Sequence, residues 1–135
     1  MTYEEMIKKA QSYKMRGKPK NDEHRIQSSC VSWFRLKYPK LKNVLIADPN
    51  GGRRDAITGA RLKEEGATSG VSDLILLKSN RFYGGLCIEM KKPGARQSPA
   101  QKEWQKDAEA NGAKYVVCKS LDEFMKVTID YLNDV

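Results

Sequence analysis

"GVSDLILLKSNRFYGGLCIEMKKPG", residues 70–94, holds two strongly apolar runs joined by a turn. Each run carries charge where a buried strand should not tolerate it. Asp73 opens the first, while Glu89 and Lys91 stand inside and at the end of the second. Burying such groups is costly unless a cation or an opposite charge compensates them. Side chains alternate across a strand, so Leu86, Ile88 and Met90 point one way and Cys87, Glu89 and Lys91 the other. Glu89 and Lys91 are then neighbours on one face, about 6–7 Å apart. Asp73 converges on the same spot if the two strands pair antiparallel in the right register, which the alternation alone does not fix.

Two carboxylates at the edge of an apolar sheet are hard oxygen ligands of the kind that suit Mg²⁺ or Mn²⁺. A protonated lysine beside them cannot ligate the ion. It can contact a scissile phosphate, or hold and help deprotonate an attacking water. Metal-assisted phosphodiester hydrolysis needs this set of groups. The competing reading is a buried ion pair, or a lysine that only ends its strand at the surface. Glu-x-Lys alone is common; the upstream acid, the turn and the second strand give the pattern its weight.

Outward from this core, the pattern predicts nine elements. Thr2 and Glu5 form a capping box that opens a helix over 2–14, followed by the basic linker "RGKPKND". A second helix runs over 22–38, with Asp22 as its N-cap and Ile26, Cys30, Trp33 and Phe34 on one face; Pro39 closes it. "NVLIA" (43–47) reads as a short buried strand, and "DPNGGRRD" as a loop leading to a helix over 53–65 that Gly66 ends. After the two strands come the strand "KYVVC" and two capped helices. Ser98, Pro99 and Gln101 start the first, which stops at Gly112, and Ser120 with Glu123 starts the last. Helices mixed with strands in this order point to an α/β sheet flanked by helices.

At 135 residues the chain is long enough for one domain with a real core. It lacks an apolar run of the roughly 18 residues that would span a bilayer and an apolar signal-peptide core, so an intracellular, non-membrane protein is expected, whether in a cytoplasm, a nucleoid or a virus-infected cell. Three cysteines without a CxxC pair read as buried thiols, and a single histidine argues against a zinc site. The net charge is +8, and residues 1–21 contribute half of it, with six Lys/Arg against two Glu. A basic small domain fits a polyanionic partner, nucleic acid foremost; a solvated basic surface is the plainer alternative.

The blocks "EHRIQ", "NGGRRD…GARLKEEGATSGVSDL", "IEMKKPG" and "SPAQKEW" together resemble the PD-(D/E)XK nuclease superfamily, and within it the virus-type replication-repair (VRR-NUC) domain. The resemblance covers most of residues 22–132. It implies a restriction-endonuclease-like αβββαβ core, here with an extra N-terminal helix: a basic arm over 1–21 and a nuclease domain over 22–135. It further implies Asp73 and Glu89 as metal ligands with the Met90 backbone carbonyl, Lys91 as the catalytic lysine, Glu23 as the acid on the first core helix, and Gln101 on the helix after the catalytic strand. Ser72 stands where the superfamily's name has proline, a position that touches no ligand. Short stand-alone members of the family suggest a homodimer that cuts branched DNA such as four-way junctions, with Mg²⁺ or Mn²⁺ as cofactor and an unspecified viral or cellular replication or repair partner.

Several of these residues also have structural readings. Glu23 lies in a first helical turn, where the helix dipole favours an acid. Gln101 is needed by the capping box. Arg53 and Arg54 after two glycines, and Lys92 and Arg96 in "KKPGAR", are candidate DNA-backbone contacts, or the cations of surface turns. Trp33 and Trp104 read as core, and His24 as a surface histidine. The rival functions are a non-catalytic nucleic-acid-binding module on a nuclease-like fold and an accessory protein whose charge serves solubility. A Ser/His hydrolase is disfavoured, because the histidine stands at a helix start with no nucleophile-elbow motif.

Overall fold

The computed structural model describes residues 2–14, 22–48 and 56–135. In chain order the elements are α1 (Tyr3–Lys14), α2 (Asp22–Lys37), a 3₁₀ turn (Pro39–Leu41), β1 (Leu45–Ala47), α3 (Ala56–Glu64), β2 (Leu74–Leu76), β3 (Gly85–Met90), α4 (Pro99–Ala110), β4 (Ala113–Cys118) and α5 (Leu121–Asn133). The run α2-β1-β2-β3-α4-β4 reproduces the expected αβββαβ core. Helix α3 is inserted between β1 and β2, and α5 is added at the end.

The capping signals act as the sequence predicts. In α1, Glu5 N–H donates to Thr2 Oγ1 at 3.2 Å, and Thr2 N–H donates to Glu5 Oε2 at 3.0 Å. Ser98 and Gln101 form the same reciprocal pair at the start of α4. Gly112, with φ of +93°, takes the left-handed turn after α4 that favours glycine. The Asp22 boundary shifts by one residue: Asp22 lies inside α2 and not ahead of it.

The sheet order is β1-β2-β3-β4, antiparallel across β1, β2 and β3 and parallel between β3 and β4. One face carries Leu74, Leu76, Leu86, Ile88, Met90 and Cys118 against Cys30, Trp33 and Phe34 of α2 and Leu121, Phe124 and Met125 of α5, all buried in one cluster. Trp33 meets Phe124 edge-on, with ring centroids 5.9 Å apart. The other face carries Cys87, Glu89 and Tyr115, and α4 packs on it through β4, with Trp104 6.1 Å from the Tyr115 ring.

Strand β1 corrects an expectation. "NVLIA" pairs only over Leu45–Ala47, and of the three residues Leu45 alone is buried. The strand is the sheet edge, and α4 covers β4 at the opposite side, so Ile46 is left 42% exposed. Trp33 lies in the core as expected, and Trp104 is half-buried. All three cysteines are buried, and none of them forms a disulfide. No described helix is long and apolar enough to cross a membrane.

Candidate active site

The antiparallel register of β2 and β3 sets Leu74 opposite Ile88, and one step further it sets Asp73 opposite Glu89. Directly opposed residues in an antiparallel pair share a face, so the two acids meet at one end of the sheet. Asp73 Oδ2 accepts a 2.7 Å hydrogen bond from Met90 N–H, which ties the acid to the backbone beside Glu89. Ser72 is buried and donates its hydroxyl to Leu74 O at 3.0 Å, fixing the turn into β2.

Glu89 is 1% exposed, and each of its oxygens has a neutral donor. Gln101 Nε2 donates to Oε1 at 3.3 Å, and the Tyr115 hydroxyl donates to Oε2 at 3.1 Å. Gln97 Nε2 in turn lies 3.1 Å from the Tyr115 oxygen and 2.9 Å from Gln105 Oε1. The arrangement is local in origin. Gln101 gives its Oε1 to the backbone N–H of Ser98 at 2.8 Å, so one amide closes the helix cap and reaches the acid. Gly70 brings the loop before β2 against α4: its φ is +81°, and a Cβ there would run into the Ala100 backbone.

Burial, and then the hydrogen bond and charge of Asp73, push the Glu89 carboxyl up to about 8, against the Tyr115 hydroxyl and the Lys91 charge, which pull it down. Burial and the neighbouring Glu89 also raise the Tyr115 phenol, which keeps it a donor. Lys91 continues β3 by donating its N–H to Cys118 O at 3.0 Å, and alternation puts its half-buried side chain on the Glu89 face.

Among the described residues no group of three or more His, Cys, Asp and Glu side chains could hold a metal ion. The Asp73–Glu89 pair nevertheless fits a small divalent cation. Both donors are hard oxygens, and a bound cation would offset the burial and the Asp73 charge that disfavour an ionised Glu89. A cation held by so few carboxylates relies on backbone carbonyl, water and substrate phosphate for its remaining positions, as Mg²⁺ commonly does.

Glu23 stands in the first turn of α2 and accepts a 3.4 Å hydrogen bond from Lys92 N–H, one residue past Lys91. Sequence candidates Glu23, Asp73, Glu89, Lys91 and Gln101 thus gather around the end of β3. Lys92 and Arg96 are exposed on the loop that follows, and Arg53 and Arg54 lie outside the described residues. Two partners escaped the sequence reading, Tyr115 and Gln97. A third residue, Asp48, pairs its backbone N–H with Asp73 O at 3.0 Å and extends the row of acids toward β1. Their signal was only a tyrosine in an apolar strand, a glutamine before a helix cap, and an acid at a strand end.

With this geometry in place, the comparison with known families is decisive. The VRR-NUC domain profile matches residues 20–122. The chain belongs to the VRR-NUC family. A solved structure described as a VRR_NUC domain protein is 27% identical and superposes with a TM-score of 0.74 over 84% of this chain and 90% of that one. No curated protein matches the sequence. The fold is therefore the restriction-endonuclease-like α/β fold of VRR-NUC proteins, and the chain is a nuclease-type domain.

Proposed function

We propose that this VRR-NUC domain is a divalent-metal-dependent DNA endonuclease that cuts branched DNA, such as a four-way junction, in replication, recombination or repair inside a cell. The observation that carries this reading is the register that sets Asp73 opposite Glu89, with Lys91 two residues along the same face. Asp73, Glu89 and the Met90 backbone carbonyl would hold Mg²⁺ or Mn²⁺. Such an ion, when bound, stabilises charge developing on the phosphate and acidifies a water. Lys91 holds the attacking water or the scissile phosphate by its charge. Gln101 and Tyr115 orient the Glu89 carboxylate, and Glu23 fixes the chain just past Lys91 through the Lys92 N–H. Arg53, Arg54, Lys92 and Arg96 contact the DNA backbone and set register without reading sequence. Residues 22–135 form the nuclease unit and residues 1–21 a basic arm. A homodimer would present two such sites to two strands of one junction.

The test is cleavage of labelled four-way junction, 5′-flap, single-stranded and linear duplex DNA in Mg²⁺, Mn²⁺ or EDTA, with wild type beside Asp73→Ala and Lys91→Ala. Metal-dependent cutting that prefers branched DNA is expected, and each variant should lose at least about 100-fold while keeping fold and DNA binding. Salt-sensitive binding without cutting in either metal would sink the catalytic reading in favour of a non-catalytic nucleic-acid-binding module.

A further inference from the structure

Helices α1 and α2 pack side by side, and between them lies a cavity of about 500 Å³ that the reading above leaves unused. Its charged lining is wholly basic, Lys9 from α1 and Arg35 from α2, and His24 of α2 lies beside them. Gln27, Ser28 and Ser32 add neutral polar groups, Val31 and Leu36 add apolar surface, and no Asp or Glu lines it among the described residues.

We infer that this groove is a second nucleic-acid contact, which holds one strand of the substrate as it runs past the catalytic acids. The inference rests on the DNA-nuclease reading and adds a location to it. Positions 24, 27, 28, 31 and 35 form one stripe along α2, at the three- and four-residue spacing of a single helix face. From His24 to Arg35 the stripe is roughly 16 Å long at about 1.5 Å per residue. Successive phosphates of one strand are spaced about 3.4 Å along the duplex axis and roughly twice that through space, which gives the groove room for about two or three of them.

The groove also starts one residue along α2 from the candidate site. His24 follows Glu23, whose carboxylate accepts from Lys92 N–H at the end of β3. A strand lying along α2 therefore begins where the catalytic lysine segment ends. Guanidinium, ammonium, hydroxyl and amide groups are the usual donors to phosphate oxygens, and apolar side chains accept sugar and base faces. The charge is also uneven along the sequence: residues 1–21 carry half of the net +8, whereas residues 120–135 carry one lysine against four acids.

The experiment measures binding of a fluorescent four-way junction in EDTA by anisotropy, across a salt series, for wild type and Lys9→Ala/Arg35→Ala. Lys78→Ala/Lys126→Ala is the control: it removes the same charge from exposed positions outside the groove. Loss of two phosphate contacts should flatten the log K against log salt slope by about 1.4–1.8 and weaken binding about 10- to 100-fold near 0.1 M salt. The control should stay close to wild type. Cleavage at saturating DNA should persist in the groove variant, because neither residue belongs to the catalytic set, and circular dichroism melts would check its folding.

A groove variant that matches the control overturns the inference. So does weakened binding of inorganic phosphate or deoxyadenosine monophosphate with DNA affinity intact, which would make the cavity a small-anion site. Where wild type cuts DNA and the groove variant binds normally, the groove alone fails. Where wild type binds no DNA at any salt, the nuclease reading fails with it.

Discussion

The two faces of the sheet are made by alternate residues of the same strands, yet they are held by different forces. On one face Leu86, Ile88 and Met90 of β3 meet α2 and α5 through apolar contact alone. On the other, Glu89 of the same strand is held by hydrogen bonds from Gln101 of α4 and Tyr115 of β4, and Gln97 bonds Tyr115 in turn. A one-residue slip of β3 would exchange the two sets, sending an acid into the core and leucines to the site. The apolar face therefore fixes the register that the acid face needs. It also supplies the stability that lets Glu89 stay buried beside a second acid. Helix α4 covers the β4 side of its face and leaves the β1 side open, so Asp73 and Asp48 are only half-buried where a substrate can approach.

The sharpest contrast comes from removing one large group from the apolar face. Phe124 is fully buried against Trp33. Phe124→Ala should cost about 3–5 kcal/mol in urea unfolding, the range for emptying an aromatic site in a packed core. Cleavage per folded molecule should stay near wild type, since Phe124 is not among the groups proposed to act in catalysis. A loss below about 1 kcal/mol would mean that the α5 packing is not what stabilises the domain.

The acid face should answer with the opposite sign. In the metal-free fold Glu89 is pushed from 4.5 up to about 8, so the folded state holds a proton that the unfolded chain releases. A raised folded pKa contributes stability that is fully present below about pH 4.5 and is lost as pH rises through about 8. Unfolding in EDTA between pH 5 and 9 should thus show stability declining with pH, by an amount on the order of a few kcal/mol across the window. Glu89→Gln stays neutral, so it should remove that decline and be the more stable protein at pH 9, while losing cleavage. Saturating Mg²⁺ or Mn²⁺ should restore stability to wild type at high pH and not to the variant. An equal pH profile for both proteins would show that Glu89 carries no such burden.

What could be read from the sequence follows from how local each signal is. Glu89 and Lys91 share a face because strands alternate, and Ser98 with Gln101 announces a helix start because the cap is closed within four residues. The Asp73–Glu89 pairing follows from an antiparallel turn between neighbouring strands together with a register that the alternation left open. Tyr115 was hidden because its meeting with Glu89 depends on a parallel pairing reached through α4, 26 residues along the chain, and Gln97 because it bonds Tyr115 and not Glu89. Inside "KYVVC" the tyrosine reads as one more apolar strand residue, since nothing nearby reveals what its hydroxyl bonds. Strand "NVLIA" read as buried because branched residues favour buried strands, but its place at the sheet edge is decided by the rest of the fold.

Gln101 stands between these cases, with a local job and a distant one, and the two can be separated at small cost. Ser98→Ala removes the hydroxyl that caps Gln101 N–H and should lower stability by about 1 kcal/mol. It leaves the amide contact to Glu89 in place, so the Mn²⁺ affinity, read by the loss of the free-ion electron paramagnetic resonance signal, should hold. Gln101→Ala removes the reciprocal half of the cap and the donor to Glu89 Oε1 together. Its stability should fall by a similar amount, and Mn²⁺ should bind about tenfold more weakly, as expected when a group orienting a metal ligand is lost. If both variants weaken Mn²⁺ binding equally, the helix cap is what positions Glu89. If neither does, the cap is the only role of Gln101, and Tyr115 alone orients the acid.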